Sequence, residues 1–434
     1  MLIILVKETE LISSIFVLNP FILIYVTKHS SKVTIINDPI YGFITIPNGV
    51  IFNLIQHPYF QRLRRISQMG LSYLVYPGAH HTRFHHALGC LHIMQKAMET
   101  LSNKGVVVSK EEVEGVCIAI LLHDIGHGPF SHAMEQSIVE GVHHEEISLA
   151  FMEHLNAEFD GGLTLAIQIF KGTYHRQFLN QLVSSQLDMD RTDYLKRDSF
   201  YTGMAEGNIN TDRIISMLNV KDDDLVIEEK GVYTVEKFLV ARRLMYWQVY
   251  LHKTGVVAEQ LITRVLKRAK ELSEQGVILS GSKALVFFLT HKVGKQDFKE
   301  YLDTFAQLDD YDIVSAMKEW CFHEDFVLSE LSKCIINRNL LKVKIKENAF
   351  AKAKLEEYKA ALMDKHAISK HEASYFVFDG TISNQAYSYK QGSIKIALSN
   401  GKIVDIIKAS DHLSLESLTK EVVKNYLCYP KIVV

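Results

Sequence analysis

The sequence predicts a mainly α-helical core followed by a smaller α+β region at its C-terminal side. Three observations carry this: from Thr34 to about Leu272 apolar residues recur every three or four positions, prolines are few there, and short alternating runs appear only beyond Leu279. With 434 residues and 47% hydrophobic content, the chain has material for a large buried core in roughly two or three domains. Lys and Arg number 48 against 50 Asp and Glu, so no net field exists to hold a polyanion, and strong nucleic-acid binding is not expected. Five widely spaced cysteines fit neither a disulfide framework nor a CxxC zinc site, and they suit a reducing cytoplasm.

Residues 1–33 read as an apolar N-terminal extension. Leu11 to Val26 is apolar but interrupted by Asn19-Pro20, and it falls short of the roughly 20 residues a membrane span needs. An element packed on the domain, or an extension of the reading frame, is expected over a membrane anchor. Residues 34–275 form the helical domain. Its clearest helix runs from about Lys110 to His123: Ser109 and Glu112 make a capping box, and Val113, Val116, Cys117, Ile120 and Leu121 form one apolar stripe. A second long helix is predicted over Val235 to Leu272. Residues 276–434 form the α+β region, with strands expected at Leu341 to Ile345, Ser374 to Phe378, Ser393 to Leu398 and Lys402 to Ile407. Ser399-Asn400-Gly401 supplies a hairpin turn. With no Gly/Ser-rich linker, the two parts are expected to pack together and the second to take part in assembly.

The chemistry concentrates after the first helix, in Leu-Leu-His123-Asp124-Ile-Gly-His127-Gly-Pro-Phe-Ser-His132. Neighbouring side chains on a helix diverge by about 100°, so His123 and Asp124 can reach one ion only where the helix ends, and Gly126, Gly128 and Pro129 end it. Adding His86 from Arg83-Phe84-His85-His86 and Asp190 from Asp188-Met189-Asp190-Arg191 gives two imidazoles and two carboxylates. Such a set suits a first-row divalent metal with positions left for water, Mn, Fe, Ni, Co or Zn, and Mg stays among the candidate ions.

The order His…His-Asp…Asp resembles the HD superfamily of metal-dependent phosphohydrolases. Asn37-Asp38-Pro39-Ile40-Tyr41-Gly42, Phe60-Gln61-Arg62-Leu63-Arg64-Arg65-Ile66 with Gln68, Pro77-Gly78-Ala79 and the segments 123–132 and 188–198 are similar to its deoxynucleoside triphosphate triphosphohydrolase branch, over roughly residues 34–260. That branch includes the animal enzyme with a sterile alpha motif and an HD domain. The resemblance implies an HD core in which His86, His123, Asp124 and Asp190 hold the metal. It implies that His144 and Glu145 lie near a second ion such as Mg, that His132 with Glu135 forms the general acid, and that His127 touches the phosphates. Arg191, Tyr194 and Asp198, spaced to share one helical face, then match phosphate, deoxyribose and 3′ hydroxyl. Arg83, Arg242, Tyr250 and Gln68 match further substrate contacts.

The resemblance also implies a homo-oligomer, dimer or tetramer, with a nucleotide activator near Asn37 and Arg64. Gln56 stands where relatives carry the guanine-reading Asp, and Leu251 where the animal enzyme has Gln beside the sugar. The expected activity is hydrolysis of a dNTP, dGTP among them, to the deoxynucleoside and inorganic triphosphate, with His132 protonating the leaving 5′ oxygen. An HD-type phosphomonoesterase, a cyclic-nucleotide phosphodiesterase and a non-catalytic nucleotide sensor are the alternatives.

Overall fold

The computed structural model describes residues 34–130, 133, 134, 137, 141–388, 392–411 and 415–431. The expected N-terminal extension lies outside the described residues, as do His132 and Glu135.

The chain enters as a hairpin where the periodicity predicts helix. Strands β1 (Thr34–Asp38) and β2 (Gly42–Ile46) pair antiparallel. The turn forms because Asp38 Oδ1 accepts the N–H groups of Ile40 and Tyr41 at 2.9 and 3.0 Å, and Gly42 adopts φ 75°. Ile44 and Ile46 are buried, while Ile35 and Phe43 face outward.

Four helices build the core of the first part: α1 (Arg83–Asn103), α2 (Lys110–Leu122), α3 (His144–Glu158) and α4 (Met189–Thr202). The predicted capping box starts α2, with Glu112 N–H donating to Ser109 Oγ at 3.1 Å and Ser109 N–H to Glu112 Oε2 at 2.8 Å. His123 caps the other end of α2. Helix α1 packs on both α2 and α4, which brings His86, the end of α2 and the start of α4 together.

The single helix expected over Val235 to Leu272 is two, α5 (Val232–Met245) and α6 (Lys253–Glu274), separated by a π-helical turn at Tyr246–Tyr250. The break has tertiary and local causes. Tyr250 OH donates to Asp198 Oδ2 at 2.7 Å, and His252 Nδ1 accepts the Thr254 N–H to restart the helix.

Strands β3 (Leu218–Lys221) and β4 (Asp224–Glu228) precede α5, and the C-terminal part adds β5 (Lys342–Lys346), β6 (Phe378–Asn384), β7 (Lys395–Ala397), β8 (Ile403–Asp405) and β9 (Val422–Tyr429). They form a β3-β4-β7-β8 sheet and a β5-β9-β6 sheet besides the β1-β2 hairpin. The 374–378 run is instead the end of a short helix, Lys370–Ser374, running into β6. The Ser369/Glu372 capping box fixes that helix. The turn at 399–401 closes as expected, with Gly401 at φ 84° and Leu398 N–H donating to Lys402 O at 2.8 Å.

Because β4 pairs parallel with β7, one sheet crosses from the helical part into the C-terminal part, and one apolar core runs from Ile44 to Tyr429. Helix α7 (Asp310–Trp320) packs on α8 (Phe326–Ile336), which packs on α6. Among the described residues no helix is long and apolar enough to cross a membrane.

Candidate metal centre

His86 lies in the first turn of α1, His123 and Asp124 just past the end of α2, and Asp190 in the first turn of α4. The structure converges them. His86 Nε2 lies 3.1 Å from Asp190 Oδ1 and 3.8 Å from Asp124 Oδ2, and His123 Nε2 lies 3.5 Å from both Asp190 Oδ1 and Asp124 Oδ1. Ligand atoms of His86, His123, Asp190 and also Cys90 all fall within 4.8 Å of one another, so this cluster could hold a metal.

The orientation of the imidazoles fits a cation. Nδ1 of His123 donates to Ile120 O at 2.6 Å, leaving Nε2 buried with no hydrogen-bond partner and its lone pair turned into the cluster. Nδ1 of His86 lies 2.7 Å from Asp193 Oδ2, the carboxylate–histidine arrangement that orients a ligand and raises its basicity. Asp193 in turn accepts from Arg197 Nε and Nη2 at 2.9 and 3.0 Å, and Arg197 Nη1 donates to Asp38 Oδ2 at 2.7 Å, all within the core.

Gly89 makes this shell possible: a Cβ there would stand 2.1 Å from Asp193 Oδ1 and 2.2 Å from Arg197 Nη2. Gly126 plays the matching part at the loop, where a Cβ would meet Ser148 N at 2.2 Å and His144 O at 2.3 Å.

Electrostatics favour positive charge at the centre. Burial opposes ionisation of Asp190, yet the adjoining His123 and His86 imidazoles hold its carboxyl far below the usual range. Burial likewise disfavours the His86 cation, but Cys90, Asp190 and Asp193 raise it well above its ordinary value. The same carboxylates that favour a proton here would favour a bound cation.

A second group, Asp124, His127 and His144, adjoins the first. His127 Nε2 lies 3.2 Å from Asp124 Oδ1, and its ring stacks on His144 at 4.0 Å. Burial, with Arg83 adding to it, pushes His127 down to about 3, so its ring is neutral near pH 7. Glu145 is exposed in the first turn of α3.

Arg83 Nη1 donates to Asp124 Oδ2 at 2.5 Å. Arg191 pairs with Asp188, the residue that caps α4. Tyr194 and Tyr250 meet edge to face at 6.1 Å. Arg242 is buried and donates to Gln186 Oε1 at 3.2 Å, whereas its neighbour Arg243 is half-buried. Gln68 Oε1 is buried with no hydrogen-bond partner. Asn37 and Arg64 are exposed, and Arg64 lies over the Phe84 ring. Arg62 does not join Arg64 and Arg65 in a surface strip, being fully buried.

Sequence reasoning missed Asp193, Arg197, Asp38, Cys90 and His81. The last is buried with Nε2 2.7 Å from Asp198 Oδ1. Three aspartates in the run 188–193 were a visible signal for a supporting carboxylate.

Comparison with known proteins agrees with this geometry. Residues 83–196 match the HD domain family, and residues 209–279 match the HD associated region. YwfO of Bacillus subtilis, described as uncharacterized, is 31% identical over 92% of this chain and 93% of its own. The SAMHD1 homologue of Dictyostelium discoideum, a deoxynucleoside triphosphate triphosphohydrolase, is 31% identical over 57% of this chain, which spans 51% of that protein. The crystal structure of a phosphohydrolase from Bacteroides thetaiotaomicron superposes with TM-score 0.90 at 52% identity, covering 92% of this chain and all of that one.

Proposed function

The chain belongs to the HD-domain phosphohydrolases related to the dNTPase branch, and from that premise we propose that it hydrolyses deoxynucleoside triphosphates to deoxynucleoside and inorganic triphosphate. One observation carries the choice of substrate. Helix α4 presents Asp190 to the metal cluster and, two turns further on, Asp198 to the Tyr250 phenol, with Arg191 and Tyr194 between them. Arg191 and Asp198 are separated by on the order of 10 Å of helix, a span suited to phosphates at one end and a sugar hydroxyl at the other.

His86, His123, Asp124 and Asp190 would hold a divalent metal, with Mg among the candidates for a second ion near His144 and Glu145, and the metal would supply Lewis acidity and neutralise phosphate charge. The chain's own residues do the rest. Arg83, Arg191 and Arg242 hold the phosphates, and Arg keeps its charge at any relevant pH. His127, uncharged, accepts or donates a hydrogen bond without repelling the cationic centre. The Tyr194 ring packs on deoxyribose, and Asp198 accepts from the 3′ hydroxyl. His132, with Glu135, delivers a proton to the 5′ oxygen, because an alkoxide leaves slowly without one. Gln68 and Tyr250 border the sugar. Assembly as a dimer or tetramer, with an activating nucleotide at Asn37 and Arg64, belongs to the same reading.

The test is product identity. Purified protein is incubated with each dNTP, with nucleoside monophosphates and with cyclic nucleotides over a panel of divalent metals, and phosphorus-containing products are resolved by NMR. Inorganic triphosphate from a dNTP is the expected result. Orthophosphate from monophosphates, or ring opening of cyclic nucleotides, would replace this reading with a phosphomonoesterase or diesterase. Nucleotide binding without turnover would replace it with a sensor.

A further inference from the structure

We propose that Asp310, contributed by the C-terminal part, is a positioning residue of the active site that sets the backbone of the loop following His123-Asp124. The inference rests on the phosphohydrolase reading for what that loop does, and on geometry alone for what holds it.

Asp310 opens α7, and its side chain is 6% exposed. Its two oxygens serve two distant stretches: Oδ2 accepts the Ser67 N–H at 2.8 Å, and Oδ1 accepts the Phe130 N–H at 3.3 Å. Both donors sit at positions that matter. Ser67 bridges Thr82, the residue before Arg83, and itself precedes Gln68. Phe130 stands three residues after His127 and two before His132, and its backbone has φ 47°. A bulky residue in the left-handed region is strained and persists only where its surroundings hold it. Pro129 before it has no N–H to offer, so the Phe130 amide is the first donor after Gly128 by which this bend can be tied.

Neighbouring contacts point the same way. Arg62 is fully buried, donates to Ile125 O at 2.7 Å and to Leu308 O at 3.3 Å, and covers the Phe151 and Phe305 rings. Arg65 pairs with Asp309. A Cβ on Gly128 would stand 3.1 Å from Phe305 Cζ, so the loop backbone lies against that ring. Residues 305–310 therefore grip the 62–67 segment and the 125–130 loop together. Only a carboxylate supplies an acceptor to each amide: Asn keeps one and Ala none.

The experiment compares D310N and D310A with the wild-type chain by hydrogen exchange and by steady-state kinetics on whichever substrate the wild type turns over. The expected result is faster exchange confined to peptides carrying Ser67 and Phe130. With it, kcat should fall about 10-fold or more while KM stays within about threefold, as a displaced catalytic loop predicts. D310N, with one acceptor, should fall between wild type and D310A. Should D310A fail to fold, D310N alone decides. Unchanged exchange at Ser67 and Phe130 would overturn the proposal, as would exchange raised throughout the helices with kcat and KM both altered. If the wild type turns over no phosphate ester, the activity reading fails, and the exchange data still decide whether Asp310 holds the loop.

Discussion

His81 Nε2 stands 2.7 Å from Asp198 Oδ1, and neither residue is more than 3% exposed. The other oxygen of Asp198 accepts from Tyr250 OH, also at 2.7 Å. The imidazole stacks on Tyr201 with ring centres 4.3 Å apart, and its Nδ1 has no hydrogen-bond partner. The proton therefore belongs on Nε2, where it donates to Asp198 and orients the carboxylate.

This leads to a prediction about sugar recognition. H81A should raise KM for a dNTP by on the order of 10-fold, the value of one buried hydrogen bond to a charged group, and should erode the preference for a dNTP over its 3′-deoxy analogue. H81Q, which keeps a donor, should recover part of both. Competition assays between the two nucleotides measure this, and an unaltered preference in H81A would remove His81 from recognition.

The buried chain His86–Asp193–Arg197–Asp38 makes a separate prediction. D193N keeps the shape of the side chain but weakens both the support of His86 and the pairing of Arg197. Losing such a supporting carboxylate typically costs 10–100-fold in metal affinity. Titration calorimetry with a divalent metal should show a loss of about that size. Wild-type affinity in D193N would mean that His86 is not a ligand, or needs no support.

Legibility in the sequence followed the range of the forces involved. Helix α2 could be read because its capping box and apolar stripe are local. His123-Asp124 could be read because two ligand types sit side by side at a helix end. The interruption between α5 and α6 could not, since part of its cause is a bond from Tyr250 to a residue 52 positions earlier. The β1-β2 hairpin was hidden because Ile35 and Phe43 are apolar yet outward-facing, which blurs the period of two. The supporting shell was invisible for the same reason as the π-helical turn: His86 meets Asp193 across 107 positions, and Arg197 meets Asp38 across 159.

Gly89 supplies a steric prediction. In G89A the new methyl would strike Asp193 Oδ1 and Arg197 Nη2, both locked in buried hydrogen bonds, so neither can swing aside. Overpacking of this kind costs about 1–3 kcal/mol, and here it also displaces the support of His86. Thermal melts should show a lower Tm together with a reduced shift on adding metal. A variant with normal stability and a normal shift would show that the shell tolerates displacement.

Asp310 yields a prediction in pH. Burial raises its carboxyl from an ordinary 3.8 to about 6, although the Ser67 and Phe130 amides pull the other way. Between those two values the folded chain binds a proton that the unfolded chain does not. The contribution of Asp310 to stability is therefore fully present below 3.8 and declines as pH rises through 6. D310N removes this dependence. The unfolding free energy of wild type minus that of D310N, from denaturant titrations, should fall by on the order of 3 kcal/mol between about pH 4 and 7, then level off. Subtracting the variant cancels the other carboxyl groups, so a flat difference across this window would show that Asp310 ionises as an ordinary surface carboxyl.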